Sequence, residues 1–176
     1  MLKNLLGLRE KATPGRDAYG LAVSRARARE FYVDHWVEDR IDARFELYTL
    51  HVLLLVLRLR DEDTPEARDT AQDLFDTYVS ALDNALRELG VGDVAVSKKM
   101  RKLGEALYGR MQAYETPLRA NDAAGLAEAL DRNVYAGAGT DHAPWLARYA
   151  LESRQRLAAQ PVESCLKAPD WAGVSA

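Results

Sequence analysis

The stretch LYTLHVLLLVLRL, residues 47–59, constrains this chain more than any other. It is shorter than the roughly 20 apolar residues a bilayer-spanning helix needs. Arg44 precedes it, Arg58 and Arg60 close it, and His51 interrupts it. It is the apolar half of a helix expected over residues 41–60. Ile41, Phe45, Tyr48, Val52, Leu55 and Leu59 recur at helical spacing, while Leu50, Leu53, Leu54 and Leu57 fill the remaining faces. A helix apolar on every side has to be packed on every side. The chain is therefore expected to build a bundle around residues 41–60.

The rest of the sequence supplies the surrounding helices, with no sustained period-2 alternation to mark strands. A first helix is expected over 16–35, with Ala18, Leu21, Ala22, Ala28, Phe31 and Tyr32 inward. Thr64 as N-cap, Pro65 and Glu66 open another that buries Ala71, Leu74, Phe75, Tyr78, Leu82, Leu86 and Leu89 and stops at Gly90. After the link GVGDVAV, Ser97 is expected to cap a helix running to about Ala120, with Met100, Leu103, Leu107, Met111, Tyr114 and Leu118 inward and Pro117 bending or ending it. Asn121 or Asp122 caps the next, carrying Leu126, Leu130 and Val134 up to Gly137 and Gly139. Asp141 opens the last, with Trp145, Leu146, Tyr149 and Leu157 inward. The expectation is an all-α, single-domain bundle of about six helices over residues 16–160. A flexible segment, 1–15, precedes it, and an irregular tail, 161–176, is tied down by Trp171. At 176 residues, with 48% hydrophobic and 29% charged residues, one domain with a real core is what the length allows.

A net charge of −3 gives no basic excess of the kind a dedicated nucleic-acid binder shows, so DNA is not an expected partner. Cys165, the single cysteine, excludes a disulfide framework and a cysteine zinc site. The N-terminus mixes Leu2, Leu5, Leu6 and Leu8 with Lys3, Arg9 and Lys11, without the continuous apolar run of a secretory signal. It reads as a frayed or docking segment, or a weak surface anchor. The expected location is cytoplasmic, with peripheral contact at the inner face of the cytoplasmic membrane.

No catalytic constellation emerges, and no enzyme activity, cofactor or metal is expected. His35, His51 and His142 form neither HExxH nor a paired Glu-x-x-His. A histidine among leucines, such as His51, is more commonly a core residue satisfied by a backbone carbonyl or a Tyr hydroxyl than a ligand. Asp69 and Asp73 show the D-x-x-x-D spacing of all-α prenyl-transferring enzymes, in which two carboxylates one turn apart hold Mg2+ against a diphosphate. That chemistry needs a second acidic helix, so a prenyl-diphosphate or lipid-binding protein is the alternative reading and a solvated face the plainer one. The charges are also polarised along the chain. Residues 61–93 carry ten acidic side chains against two basic, whereas residues 97–120 carry six basic against two acidic. Lys98, Lys99 and Lys102 then form either a solubilising face or a ridge for an anionic partner such as ribosomal RNA or lipid. Arg44 and Arg110 lie among apolar positions and are expected to be buried against carboxylates, with Asp83, Glu46 and Asp93 as candidates.

Three linked segments complete the pattern: ARFELYTLHVLLLVLRL (43–59), AQDLFDTYVSALDNALRELGVGDVAVSKKMRKLGEALYGRMQAY (71–114) and ALDRNVY (129–135). Together, over about residues 19–135, they resemble the ubiquinol–cytochrome c chaperone family. LRELGVGD followed by a basic helix and Y-G-R-x-x-A-Y is the most specific element. The resemblance implies a non-enzymatic, all-α assembly factor for the cytochrome bc1 complex that binds nascent or newly inserted cytochrome b or another bc1 subunit. The ribosome, an anionic membrane surface or a small partner protein are the further partners it suggests. The candidate positions for partner binding are Arg44, Phe45, Asp76, Asp83, Arg87, Asp93, Lys98, Lys99, Arg110, Tyr114, Arg132 and Asn133 from its motifs, and Lys102 from the basic ridge. Ala43 and Ser80 depart from the family pattern, which has glycine at the first position and often an acidic residue at the second.

Overall fold

The computed structural model describes residues 13–88, 93–138 and 141–174, with the side chains of residues 93–100 and 103 excepted. Its elements, in chain order, are α1 (Pro14–Ala26), α2 (Arg29–Val33), α3 (Ile41–Glu62), α4 (Pro65–Glu88), α5 (Asp93–Ala120), α6 (Ala123–Val134), α7 (His142–Ala159) and α8 (Val162–Cys165). Six of these helices have twelve residues or more, and no strand occurs among the described residues. The basic, leucine-bearing start of the chain, Leu89, Gly90, Gly92 and Gly139 lie outside the described residues.

The all-round apolarity of residues 47–59 is answered by full enclosure. α3 packs against α1, α4, α5, α6 and α7. From Leu47 to Leu57 every residue but Tyr48 is buried. Each fully buried leucine there contributes about 2 kcal/mol of transfer free energy, which makes α3 the axis of the bundle. Among the described residues no helix is long and apolar enough to cross a membrane.

Local signals account for several helix boundaries. The Thr64 hydroxyl accepts from Ala67 N–H at 3.2 Å and opens α4, and Asp122 does the same for α6 through Gly125 N–H at 3.0 Å. α5 starts at Asp93, so Ser97, the expected cap, lies inside the helix. Pro117 sits in the last turn of α5, which ends three residues later. The buried stripe of α4 is narrower than expected: Ala71, Leu74 and Tyr78 are buried, but Phe75, Leu82 and Leu86 are only half-buried, leaving an open flank toward α5.

The expected continuous helix over 16–35 is instead two. The chain leaves the helical region at Ala28 (φ −55°, ψ 129°), and Tyr32 Oη donates to Ala26 O at 2.9 Å, serving the end of α1. The break turns Phe31, fully buried, edge-on to His51, Trp145 and Tyr149. A tertiary aromatic cluster thus overrides helical continuity.

Two further contacts fix the periphery. Asp73 Oδ2 accepts from Gly15 N–H at 3.0 Å and so serves the exposed amide end of α1. A Cβ at residue 15 would sit 2.5 Å from the Leu74 backbone nitrogen, so glycine is required where α1 meets α4. After Pro161 the chain makes the single turn of α8 and then lies along α7. Ala172 N–H donates to Ser153 Oγ at 3.1 Å, and the Val174 carbonyl meets His35 Nε2 at 2.9 Å. The Trp171 ring lies 5.3 Å from that of His51.

Candidate functional site

Among the described residues no group of three or more His, Cys, Asp or Glu side chains could hold a metal. His51, the most suggestive residue in the sequence, has both ring nitrogens engaged: Nδ1 with Leu47 O at 2.7 Å and Nε2 with Tyr149 Oη at 2.9 Å. The carbonyl can only accept, so Nδ1 carries the proton and Nε2 accepts from the tyrosine hydroxyl. Tyr149 Oη in turn accepts from Arg25 Nε at 3.0 Å. Complete burial, with a smaller contribution from the Arg25 charge, pulls the imidazole down to about 4 against the Leu47 hydrogen bond, which favours its charged form. His51 is a neutral structural residue. Asp73 has its capping role at Gly15, and Asp69 is exposed.

The feature that gathers functional side chains is a groove of about 490 Å³ where the start of α3 meets the ends of α4 and α6 and the middle of α5. Apolar atoms of Ile41, Phe45, Leu82, Leu86 and Val134 line it, and Arg40, Arg110, Arg132 and Asn133 supply most of its polar edge. Ile41 at its lip is 68% exposed. Beneath it, Glu46, 3% exposed, accepts from Arg110 Nε at 2.9 Å and from Tyr114 Oη at 2.8 Å. Burial pushes the Glu46 carboxyl above the usual range, while the hydrogen bonds from Arg110 and Tyr114 pull it back. The Tyr114 hydroxyl is held well above its ordinary value, first by burial and then by the Glu46 charge. It therefore stays a donor. The result is a guanidinium fixed from below and open to the groove.

Of the thirteen candidate partner-binding positions, the structure brings Phe45, Arg110, Arg132 and Asn133 to the groove and sets Tyr114 under it. Asn133 Nδ2 donates to Ala129 O at 2.9 Å. Arg44 is a correction. It is exposed and pairs with Asp39, not with Glu46 or Asp83, because it falls on the outer side of α3 while Glu46 faces in. The hydrogen bond with Asp39 raises its already high pKa. Asp76 accepts from Gln72, and Asp83 pairs with Arg87 at 2.6 Å, all outside the groove lining. Lys102 is exposed on α5, and the side chains of Asp93, Lys98 and Lys99 lie outside the described set. Glu46, named in the sequence only as one partner among three, turns out to be central.

A second, larger groove of about 1020 Å³ runs between α4 and α5 over Val56, Phe75 and Met111, with Tyr108 at its edge. Its arginines are all paired: Arg60 with Glu115, Arg68 with Asp63, and Arg119 with Asp61 and Glu115.

The family model for the ubiquinol–cytochrome c chaperones matches residues 33–169, most of the chain. This chain belongs to that family. The match begins later than the resemblance in the sequence and runs well past Tyr135, so α7 and α8 are part of the family unit. The crystal structure of the Cbp3 homolog from Brucella abortus superimposes with a TM-score of 0.82 at 34% identity, over 92% of this chain and 90% of that one. No curated protein sequence matches. For a ubiquinol–cytochrome c chaperone the site has a suitable character: an apolar groove with guanidinium groups on its edge.

Proposed function

We propose that this protein is a non-enzymatic assembly chaperone of the cytochrome bc1 complex whose client is newly made cytochrome b. Family membership over residues 33–169 carries the reading. The groove supports it, because a helix with an apolar face is held by side-chain anchors and needs no bond-breaking chemistry. The basic start of α5, with Lys98, Lys99 and Lys102, serves as the ridge toward an anionic surface, the ribosome or lipid headgroups, at the inner face of the membrane. A small partner protein completes the working unit. The magnesium–diphosphate alternative gains nothing, since Asp73, one half of its D-x-x-x-D pair, is engaged with the backbone of α1.

The test is the reduced-minus-oxidised haem spectrum of membranes from a deletion strain, with ubiquinol–cytochrome c reductase activity measured alongside. Selective loss of the cytochrome b signal and of the activity, both restored by the gene, is expected. A spectrum and activity identical to the parent strain contradict the assembly role.

A further inference from the structure

The two grooves differ in one respect that bears on what they hold. Every arginine on the larger groove is already matched by a carboxylate of the chain itself. In the smaller groove Arg40 pairs with Glu38 and Arg110 with Glu46, but Arg132 is exposed with no ion pair among the described residues. Asp42, in the first turn of α3, and buried Glu46 are the carboxylates in the lining. Glu46 is consumed by Arg110 and Tyr114. Arg132 therefore stands in the last turn of α6 as a cation in waiting, beside an apolar trough whose lip residue Ile41 is itself exposed.

We infer that the smaller groove seats one face of an apolar helix carrying an acidic residue, and that Arg132 selects it by pairing with that residue. The inference rests on the chaperone reading and names the chemistry of the segment such a protein holds. The side chains at i, i+3, i+4 and i+7 of the bound helix fill the trough between Leu82, Leu86, Phe45 and Val134. Its carboxylate reaches Arg132 at the polar edge. Arg110 keeps free donors on its open side, but its charge is already offset by Glu46, so the unmatched positive charge at the groove is that of Arg132. Specificity then comes from charge, while affinity comes from apolar burial.

The experiment uses the full chain and three labelled, leucine-rich amphipathic helical peptides that differ at one position beside the apolar face, Glu, Gln or Lys. Their affinities are measured by fluorescence anisotropy. The wild type is expected to bind the Glu peptide about fivefold more tightly than the Gln peptide, the size of one partly exposed ion pair. Arg132→Glu is expected to invert the order in favour of Lys. Ala85→Trp, at an exposed position on the groove wall, is expected to weaken all three by about tenfold, a loss of one buried anchor. Both positions are exposed, and unfolding curves of the two variants serve as the check that they fold. Equal binding of the three peptides, a Glu preference that survives Arg132→Glu, binding unaffected by Ala85→Trp, or no binding overturns the inference. So do Arg132-dependent binding of anionic vesicles in place of peptide, and a dimer of the chain that Ala85→Trp dissociates. Failure here is separable from failure of the chaperone reading. If the deletion strain loses cytochrome b and Arg132→Glu restores it fully, the seat is wrong and the chaperone stands. If peptide selection holds and the strain keeps its cytochrome b, the groove stands and the client differs.

Discussion

Replacing Glu46 with alanine lowers the stability of the fold by about 3 kcal/mol, with a fall in melting temperature of roughly 6–12 °C for a chain of this size. The magnitude follows from what is left behind. Tyr114 is fully buried and loses the acceptor of its hydroxyl proton, and Arg110 loses the carboxylate that holds it at the groove. Arg110 is partly exposed and recovers some hydration, which keeps the loss at the low end of the range for breaking a buried pair. Glu46→Gln, which keeps an acceptor but not the charge, is expected to cost about half as much. Tyr114→Phe placed on top of Glu46→Ala is expected to cost less than the sum of the two single changes, since the second removes a donor the first has already orphaned. Chemical unfolding of the two single variants and the double variant measures this coupling. Additive losses would mean that the Glu46–Tyr114 hydrogen bond carries no stability.

The second large effect is a dependence on acidity set by His51. Its imidazole is held at about 4 in the folded protein, against about 6.5 in an unfolded chain. Between these values the unfolded state binds the proton and the folded state does not, so stability rises with pH across that window. The contribution is complete above about pH 6.5 and is lost progressively as the pH falls to about 4, in total roughly 3 kcal/mol. Protonation there would end the donation from the Tyr149 hydroxyl and place a buried cation near Arg25. Glu46, raised by burial, works in the opposite sense on the acid side. The informative quantity is therefore the difference between wild type and His51→Gln. Unfolding free energies at pH 7 and pH 4 are expected to fall further in the wild type by roughly that amount. Parallel pH dependences would exclude His51 as the sensitive group.

These features differ in how far the sequence reveals them. The axis helix is legible because apolarity on all sides admits one solution, enclosure, and the enclosure of residues 47–57 follows. The two partners of His51 belong to the kinds expected of a core histidine, a backbone carbonyl and a tyrosine hydroxyl. What sequence periodicity cannot supply is the third dimension of the bundle. The break at Ala28 arises because Phe31 joins a cluster built from α3 and α7, which no local propensity encodes. Asp73 looks like half of a metal motif until Gly15, 58 positions away in sequence, is seen to occupy it. Arg44 and Arg110 look alike in the sequence, but a rotation of about 100° per residue sends Arg44 to solvent and lets Glu46 face inward to Arg110. The groove depends on the approach of four helices, so the residues that line it carry no common spacing by which to find them.

The central claim, that newly made cytochrome b is held by this protein in the smaller groove, is tested most directly by site-specific photo-crosslinking during a short pulse of labelling. A photoreactive residue placed at Ala85, on the groove wall, is predicted to form an adduct containing labelled cytochrome b, and one placed at Ala158, exposed on α7, is predicted not to. The Ala85 adduct is predicted to decline during a chase as the client moves on into the complex. No cytochrome b adduct at Ala85, or equal adducts at the two positions, would contradict the account.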